Sequence, residues 1–494
     1  MKKKVSIIHY HYIKGGVTSV IKNISNSLFS EYEIHLYGSK KMGIEGIQDL
    51  LNKENIKFHD VPELKYLYKN ELTQESFYSY KSEIKNYLLN YIDFDSIIWV
   101  HNYNLGKNPP FTEAIIELAL EQNMKILFQI HDFPECGRIN NLSFLNKYIS
   151  NSLYPVDKNI YYITINKGDL KRLLQAGIPE TKIFYLPNAI NTKKENFKKQ
   201  EERKKIINKI EDRCLIRNDD LLLLYPVRTI RRKNILEAAL INIIVEKSFL
   251  FVTLPSNSRK EKKYEKIVKD VFKKNKIRGI WSVSKKYKGI YNNLIRGCDL
   301  FFSSSVLEGF GLIFLESKKY NKNFYVREID IVQDFKNIPK YSYYSSLNIK
   351  LDDRMKDDVI KKYKNYLNMI DLNKRGKEIL KEDIYKKIDK NIVDFSYLDV
   401  ENQWKILNKE NFAEIKELNS EIEKNIRKLS SGYLKQGVEL DNFSLKKNTQ
   451  RIKDIVMKIK EDNEAVKKQR DKKIDKSILK SFLKIEYYRL LLNY

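Results

Sequence analysis

Short apolar runs that stop at polar loops, each followed by a segment long enough for a helix, recur from the first residues to about residue 330. Lys125–Ile130, Leu221–Val227 and Leu300–Ser303 each suit one buried strand and are too short to cross a bilayer. Further strands are expected at 3–9, Glu33–Tyr37, Ile56–Val61, Ser96–Val100, Tyr161–Ile165, Phe249–Leu254, Ile280–Val283 and 323–326. Helices are expected from Thr18 to about Phe29, over Glu113–Gln122 with Thr112 as N-cap, and from near Leu236. Strands and helices that alternate at this spacing imply doubly wound parallel sheets.

At 494 residues the chain has room for two such domains and an appendage. The expected boundaries are a first domain at 1–195, a polar linker with a solvated helix at 196–217, a second domain at 218–400 and a helical extension at 401–494. Within the extension, Ile415, Leu418, Ile422, Ile426 and Leu429 recur at spacings of three and four, the stripe of an amphipathic helix. Its end, Ile478-Leu479-Lys480-Ser481-Phe482-Leu483, suits packing on the body or self-association better than a membrane surface.

Two loops carry the chemistry. Glu308-Gly309-Phe310-Gly311-Leu312 leaves a strand and opens a helix that contains Glu316. A glycine turn entering a helix directs backbone N–H groups and the helix dipole at one spot, which suits phosphate. A carboxylate at either end suits sugar hydroxyls, because an ionised carboxylate only accepts hydrogen bonds. The strand at Leu221 likewise ends in a loop, and that loop holds Arg228 and Lys233, two cations of the kind a departing diphosphate needs. Arg231 and Arg232 beside them read as a solvated basic turn.

With Gly15-Gly16 after the first strand, His131-Asp132 after a later one and Pro187-Asn188-Ala189-Ile190 before the crossover, these loops resemble the family 4 retaining glycosyltransferases of GT-B fold, over most of residues 1–395. The resemblance implies two Rossmann-like domains facing across a cleft, the donor on the second and the acceptor mostly on the first. It further implies roles for particular residues. Glu308 would hold the donor sugar and Glu316 the ribose. The N–H groups of Gly309, Phe310, Gly311 and Leu312 would hold phosphate or sugar oxygens, and Arg228 and Lys233 would clamp the diphosphate. Gly15 and Gly16 would let the first loop approach the donor phosphates, and His131 would lie beside the anomeric carbon. Retention, no metal and no cofactor beyond a UDP- or GDP-sugar donor are implied as well. Arg327-Glu328-Ile329-Asp330 departs from a glycine that many relatives carry there, which bears on substrate contacts at that strand end.

The net charge of +28 does not indicate a nucleic-acid partner, because lysines are interleaved with glutamates along the whole chain. The same charge would suit peripheral contact with anionic lipid. The acceptor stays open among glycan, lipid, protein and small molecule. Three cysteines, Cys136, Cys214 and Cys298, form no ligand spacing and read as unpaired thiols. His9-Tyr10-His11 offers two imidazoles for zinc and lacks a third ligand. With no signal peptide or spanning run in view, a cytoplasmic enzyme is expected. A GT-B-shaped nucleotide-sugar epimerase and a basic non-catalytic binding protein are the alternatives.

Overall fold

The computed structural model describes residues 3–122, 124–193, 195–210, 216–274, 277–335, 338–432 and 439–493. Cys214 lies outside the described residues; Cys136 and Cys298 are unpaired. The chain forms two compact units: Met1–Asn191 with Ile370–Leu372 and Asp441–Leu483, and Thr192–Met369 with Asn373–Leu440 and Lys484–Tyr494.

The first unit is built on a seven-stranded parallel sheet. Its strands are β1 (Lys3–Ile8), β2 (Tyr32–Gly38), β3 (Ile56–Asp60), β4 (Ile97–His101), β5 (Ile126–Ile130), β6 (Ile160–Thr164) and β7 (Ile183–Tyr185). They lie in the order β3-β2-β1-β4-β5-β6-β7. Every residue of β4, β5 and β6 is buried, as a strand covered by helices on both faces requires. The helix Gly16–Leu28 sends Ile21, Ile24 and Leu28 into the core under β1.

The second unit repeats the plan. Strands β8 (Leu221–Arg228), β9 (Ser248–Leu254), β10 (Gly279–Ile280), β11 (Leu300–Ser303), β12 (Asn323–Arg327) and β13 (Tyr343–Tyr344) form a parallel sheet in the order β10-β9-β8-β11-β12-β13. Strand β8 is central and contains Pro226, which has no N–H to give; the ladder with β9 shifts register between Tyr225 and Arg228 to accommodate it.

Several sequence expectations are corrected. The helix expected at Glu113 begins at Pro109, where proline suits a first turn whose N–H groups lack partners, and Asn108 caps it by accepting from the Phe111 N–H at 2.9 Å. Thr112 lies inside that helix and donates its hydroxyl to the Tyr103 carbonyl at 2.6 Å. The strand expected at Ile280–Val283 stops at Ile280, because Ser282 turns left-handed and a helical turn, Val283–Lys286, follows.

The helix expected in the linker is present at Lys199–Lys209, but it is seated in the second unit and not simply solvated. Its Arg203 pairs with Asp299 at 2.9 Å and donates to the Asp220 carbonyl at 2.6 Å. Residues 401–494 are no appendage. The stripe found in the sequence is two helices, Ala413–Leu418 and Ser420–Ser430, that bury Ile415, Ile422, Ile426 and Leu429 in the second unit. The helix Leu445–Glu461 then buries Ile452, Ile455, Val456 and Ile459 in the core of the first unit, and Lys473–Phe482 buries Ile474, Ile478 and Phe482 there. These apolar faces are covered by the chain itself. No helix among the described residues is long and apolar enough to cross a membrane.

Candidate active site

In each sheet the strand order reverses between two neighbours, β1 and β4 in the first unit, β8 and β11 in the second. Loops leaving the C-terminal ends of such a pair diverge to opposite faces and open a crevice, the place where open α/β sheets bind ligands. The two loops singled out in the sequence are the ones that leave β8 and β11. Leu223 and Leu224 pair with Leu300 and Phe301 at the base of the crevice, and the Val306 N–H donates to the Arg232 carbonyl at 2.9 Å above it.

Between these loops Lys233 forms an ion pair with Glu308, and Arg232 grips the other oxygen of the same carboxylate at 3.0 Å while donating to the Leu307 carbonyl at 2.8 Å. Burial by itself would raise the Glu308 carboxyl, but the charges of Lys233 and Arg232 outweigh it and hold the pKa down at about 2. Burial pulls the Lys233 ammonium below its ordinary range, and Glu308 opposes that shift. Glu308 is therefore ionised at any physiological pH. Arg228 ends β8, is exposed, and makes no ion pair among the described residues.

Arg231 and Arg232 are not a solvated turn. Arg231 is buried and its guanidinium meets Glu261 at 3.2 Å, while Arg232 belongs to the Glu308 cluster. No periodicity in the sequence distinguishes Arg232 from Arg231; the distinction comes from the 3₁₀ turn Arg231–Lys233, which sends adjacent side chains apart.

The shape of that turn is held from below. Tyr225 donates its buried hydroxyl to the Lys233 carbonyl at 2.7 Å, and Ser304 donates to the Asn234 carbonyl at 2.9 Å. Asn234 adopts the left-handed conformation at φ 46°, one that asparagine tolerates better than most residues. Its side chain donates to Glu237 at 2.7 Å and accepts from Gln403 at 3.2 Å.

On the other loop, Gly311 caps the helix Leu312–Lys319 at φ 81°; a Cβ there would lie 2.9 Å from the Phe314 ring. Phe310 is buried in an aromatic group with Phe335 and Phe314, which fixes the loop, and Leu312 is exposed. Glu316 follows within the helix, half-buried, raised by burial and drawn back by Lys319. Tyr291, a little over a third exposed, has its phenol pushed up by partial burial and then by the Glu316 charge.

In the first unit, Gly15 and Gly16 open the helix that follows β1. Neither has a positive φ, and a Cβ on Gly16 would meet nothing within 4 Å, so the protein's own packing does not demand these glycines. Three imidazoles lie at the ends of β1, β4 and β5. His101 Nδ1 is 3.0 Å from His131 Nε2, and His9 Nδ1 is 3.3 Å from the His101 carbonyl. Asn102, also left-handed, accepts from the His131 N–H at 3.0 Å. Burial lowers the His131 pKa to about 4, so the ring is neutral. Asp132 turns away to Arg138 at 3.2 Å, so it is not the partner of His131. Among the described residues, no group of three or more His, Cys, Asp or Glu side chains is placed to hold a metal ion.

No family model matches the chain. The mannosylglucosyl-3-phosphoglycerate synthase of Petrotoga mobilis (strain DSM 10674 / SJ95) is 46% identical to it over 502 residues, covering 99% of both chains. The chain belongs to that synthase's glycosyltransferase family. The sucrose-phosphate synthase (tll1590) from Thermosynechococcus elongatus shares the fold, with a TM-score of 0.52 at 12% identity over 93% of this chain and 99% of that one. The protein is thus a glycosyltransferase of GT-B fold that draws on a nucleotide-sugar donor, and the epimerase and basic-binder alternatives are set aside.

Proposed function

We propose that this glycosyltransferase moves a mannosyl group from a nucleotide-activated mannose to glucosyl-3-phosphoglycerate, with retention of anomeric configuration. The observation that carries the proposal is the 46% identity, along 99% of both chains, to a protein named for making mannosylglucosyl-3-phosphoglycerate. The donor is a UDP- or GDP-sugar.

In this reading the donor diphosphate displaces Glu308 from its two cations. Lys233 and Arg232 turn to the phosphate oxygens, Arg228 joins them from the end of β8, and the released carboxylate takes the sugar hydroxyls. Glu316 holds the ribose, and the N–H groups from Gly309 to Leu312, at the start of the helix, meet phosphate or sugar oxygens. On the first unit, the bare backbone at Gly15 and Gly16 leaves room for an oxyanion, and neutral His131 offers a hydrogen bond to a sugar hydroxyl.

Covalent attack by Glu308 is not part of this reading, because the released carboxylate is engaged by the sugar hydroxyls. The acceptor oxygen instead attacks from the face that the diphosphate leaves. The C1–O bond to phosphate breaks, the new C1–O bond forms, and the acceptor proton passes to the departing phosphate oxygen. Cations already fixed at that oxygen lower the barrier without reorganisation.

The test is incubation of the purified protein with glucosyl-3-phosphoglycerate and, in separate reactions, GDP-mannose, UDP-glucose and other nucleotide sugars. The products are then read by mass spectrometry and the anomeric coupling by NMR. One mannosyl group added from a nucleotide-activated mannose, with the configuration of the donor, supports the proposal. No transfer to this acceptor from any donor, or an inverted product, refutes it.

A further inference from the structure

The last described segment lies in an unexpected place. After contributing Asp441–Leu483 to the first unit, the chain returns and adds this segment to the second. There the turn Leu490–Asn493 lies directly against the turn Arg231–Lys233. Leu491 is fully buried, the Leu490 N–H meets the Tyr363 hydroxyl at 3.4 Å, and Tyr487 donates its hydroxyl to Asp330.

A second, independent path joins the same two places through buried polar groups. Arg489 Nε donates to the Ser396 hydroxyl at 3.0 Å, and Ser396 donates to Asp394 at 2.8 Å. Asp394 is paired with Arg327 at 2.8 and 2.9 Å, and Arg327 Nε donates to Glu237 at 2.8 Å. The other oxygen of Glu237 accepts from Asn234, the left-handed residue that follows Lys233. Arg327 is 2% exposed and Glu237 is fully buried, so their positions are set by each other and not by solvent. Buried chains of this kind hold one geometry, because breaking a link strands a charge.

We propose that Lys484–Asn493 is a positioning element of the donor site, holding the Arg231–Lys233 turn in the shape in which its cations meet an anion. Arg489 touches no reacting group; it acts through Ser396, Asp394, Arg327, Glu237 and Asn234. The role of the turn rests on reading it as the diphosphate site. The mechanical link does not.

Three proteins are compared with the wild type: Arg489→Gln, Arg489→Lys and a chain ending at Leu483. Amide exchange of the 228–240 segment is followed by mass spectrometry, UDP and GDP binding by calorimetry, and donor and acceptor KM separately, all below the unfolding temperature. Arg489→Gln is expected to speed exchange of that segment about tenfold while leaving β4 and β5 unchanged. It should also weaken nucleoside diphosphate binding and raise donor KM several-fold at constant acceptor KM, with Arg489→Lys recovering part of each. If the shortened chain does not fold, Leu491→Ala takes its place. Unchanged exchange in the 228–240 segment overturns the link. A lowered unfolding temperature with unchanged diphosphate affinity and donor KM overturns the positioning role and leaves a structural one. If the wild type binds neither UDP nor GDP, the diphosphate reading fails while the exchange measurement still decides the link.

Discussion

Lys233 and Glu308 are bound to one another, so in the proposed reading an incoming diphosphate would compete with a carboxylate for its cations. Glu308→Gln removes that competitor and also removes the group that would grip the sugar. It is expected to lower kcat by about 100- to 1,000-fold and to tighten binding of the nucleoside diphosphate alone by about tenfold, roughly 1.4 kcal/mol. Calorimetry with UDP and GDP checks this, and weaker binding would contradict the exchange of partners. Arg232 shares the same carboxylate and would turn with Lys233 to the diphosphate, so Arg232→Ala should cost about 10- to 100-fold in kcat/KM for the donor, the loss of its charge-assisted hydrogen bonding to phosphate. A variant with wild-type donor kinetics would remove Arg232 from the site.

At the scale of elements, the ends of β1, β4 and β5 bring His9, His101 and His131 together out of water. All three are pushed below the ordinary histidine range by burial, His9 to about 3 and His131 to about 4. Groups whose folded pKa is depressed stay neutral in the fold while the unfolded chain takes up protons below about 6.5. Their stabilising contribution is therefore complete above that pH and is lost as pH falls through the folded values. Each contributes a slope of about 1.4 kcal/mol per pH unit inside its window. Glu135 opposes them: buried beside Tyr154, its carboxyl is raised to about 8, so its contribution is greatest in acid and fades as pH rises towards 8. Denaturant unfolding between pH 7 and pH 4 should show a loss of stability in acid that His131→Gln makes shallower. An unaltered slope in that variant would mean that His131 is not buried neutral.

For the whole molecule, a ligand that binds only the folded chain raises its unfolding temperature. At a concentration one hundred times its Kd the added stability is about 2.7 kcal/mol. A panel of nucleoside diphosphates should give such a shift with one base preferred, and Lys233→Met should abolish it. Turnover is expected to survive a chelator, since in the proposed reading Arg228, Arg232 and Lys233 would do at the leaving group what a metal ion would do; a strict metal requirement would contradict their assignment. The last part of the chain serves both units, so neither unit is the product of one continuous stretch, although each sheet is.

Apolar runs such as Leu221–Leu224 and Leu300–Ser303 declared their strands, because a strand buried on both faces has to be apolar along its length. The order of those strands along the chain then placed Arg228, Lys233 and Glu308 on loops at strand ends. Those inferences needed only local chemistry. Burial of Arg231 against Glu261, recruitment of Arg232 to Glu308, the part of Gln403 in holding Asn234 and the path from Arg489 to Asn234 join residues far apart in sequence or separate identical neighbours. No local pattern encodes such partners. Likewise an amphipathic stripe shows that a helix has an apolar face to cover, but which surface covers it is a property of the folded chain, and here the two tail helices Leu445–Glu461 and Lys473–Phe482 found theirs in the first unit.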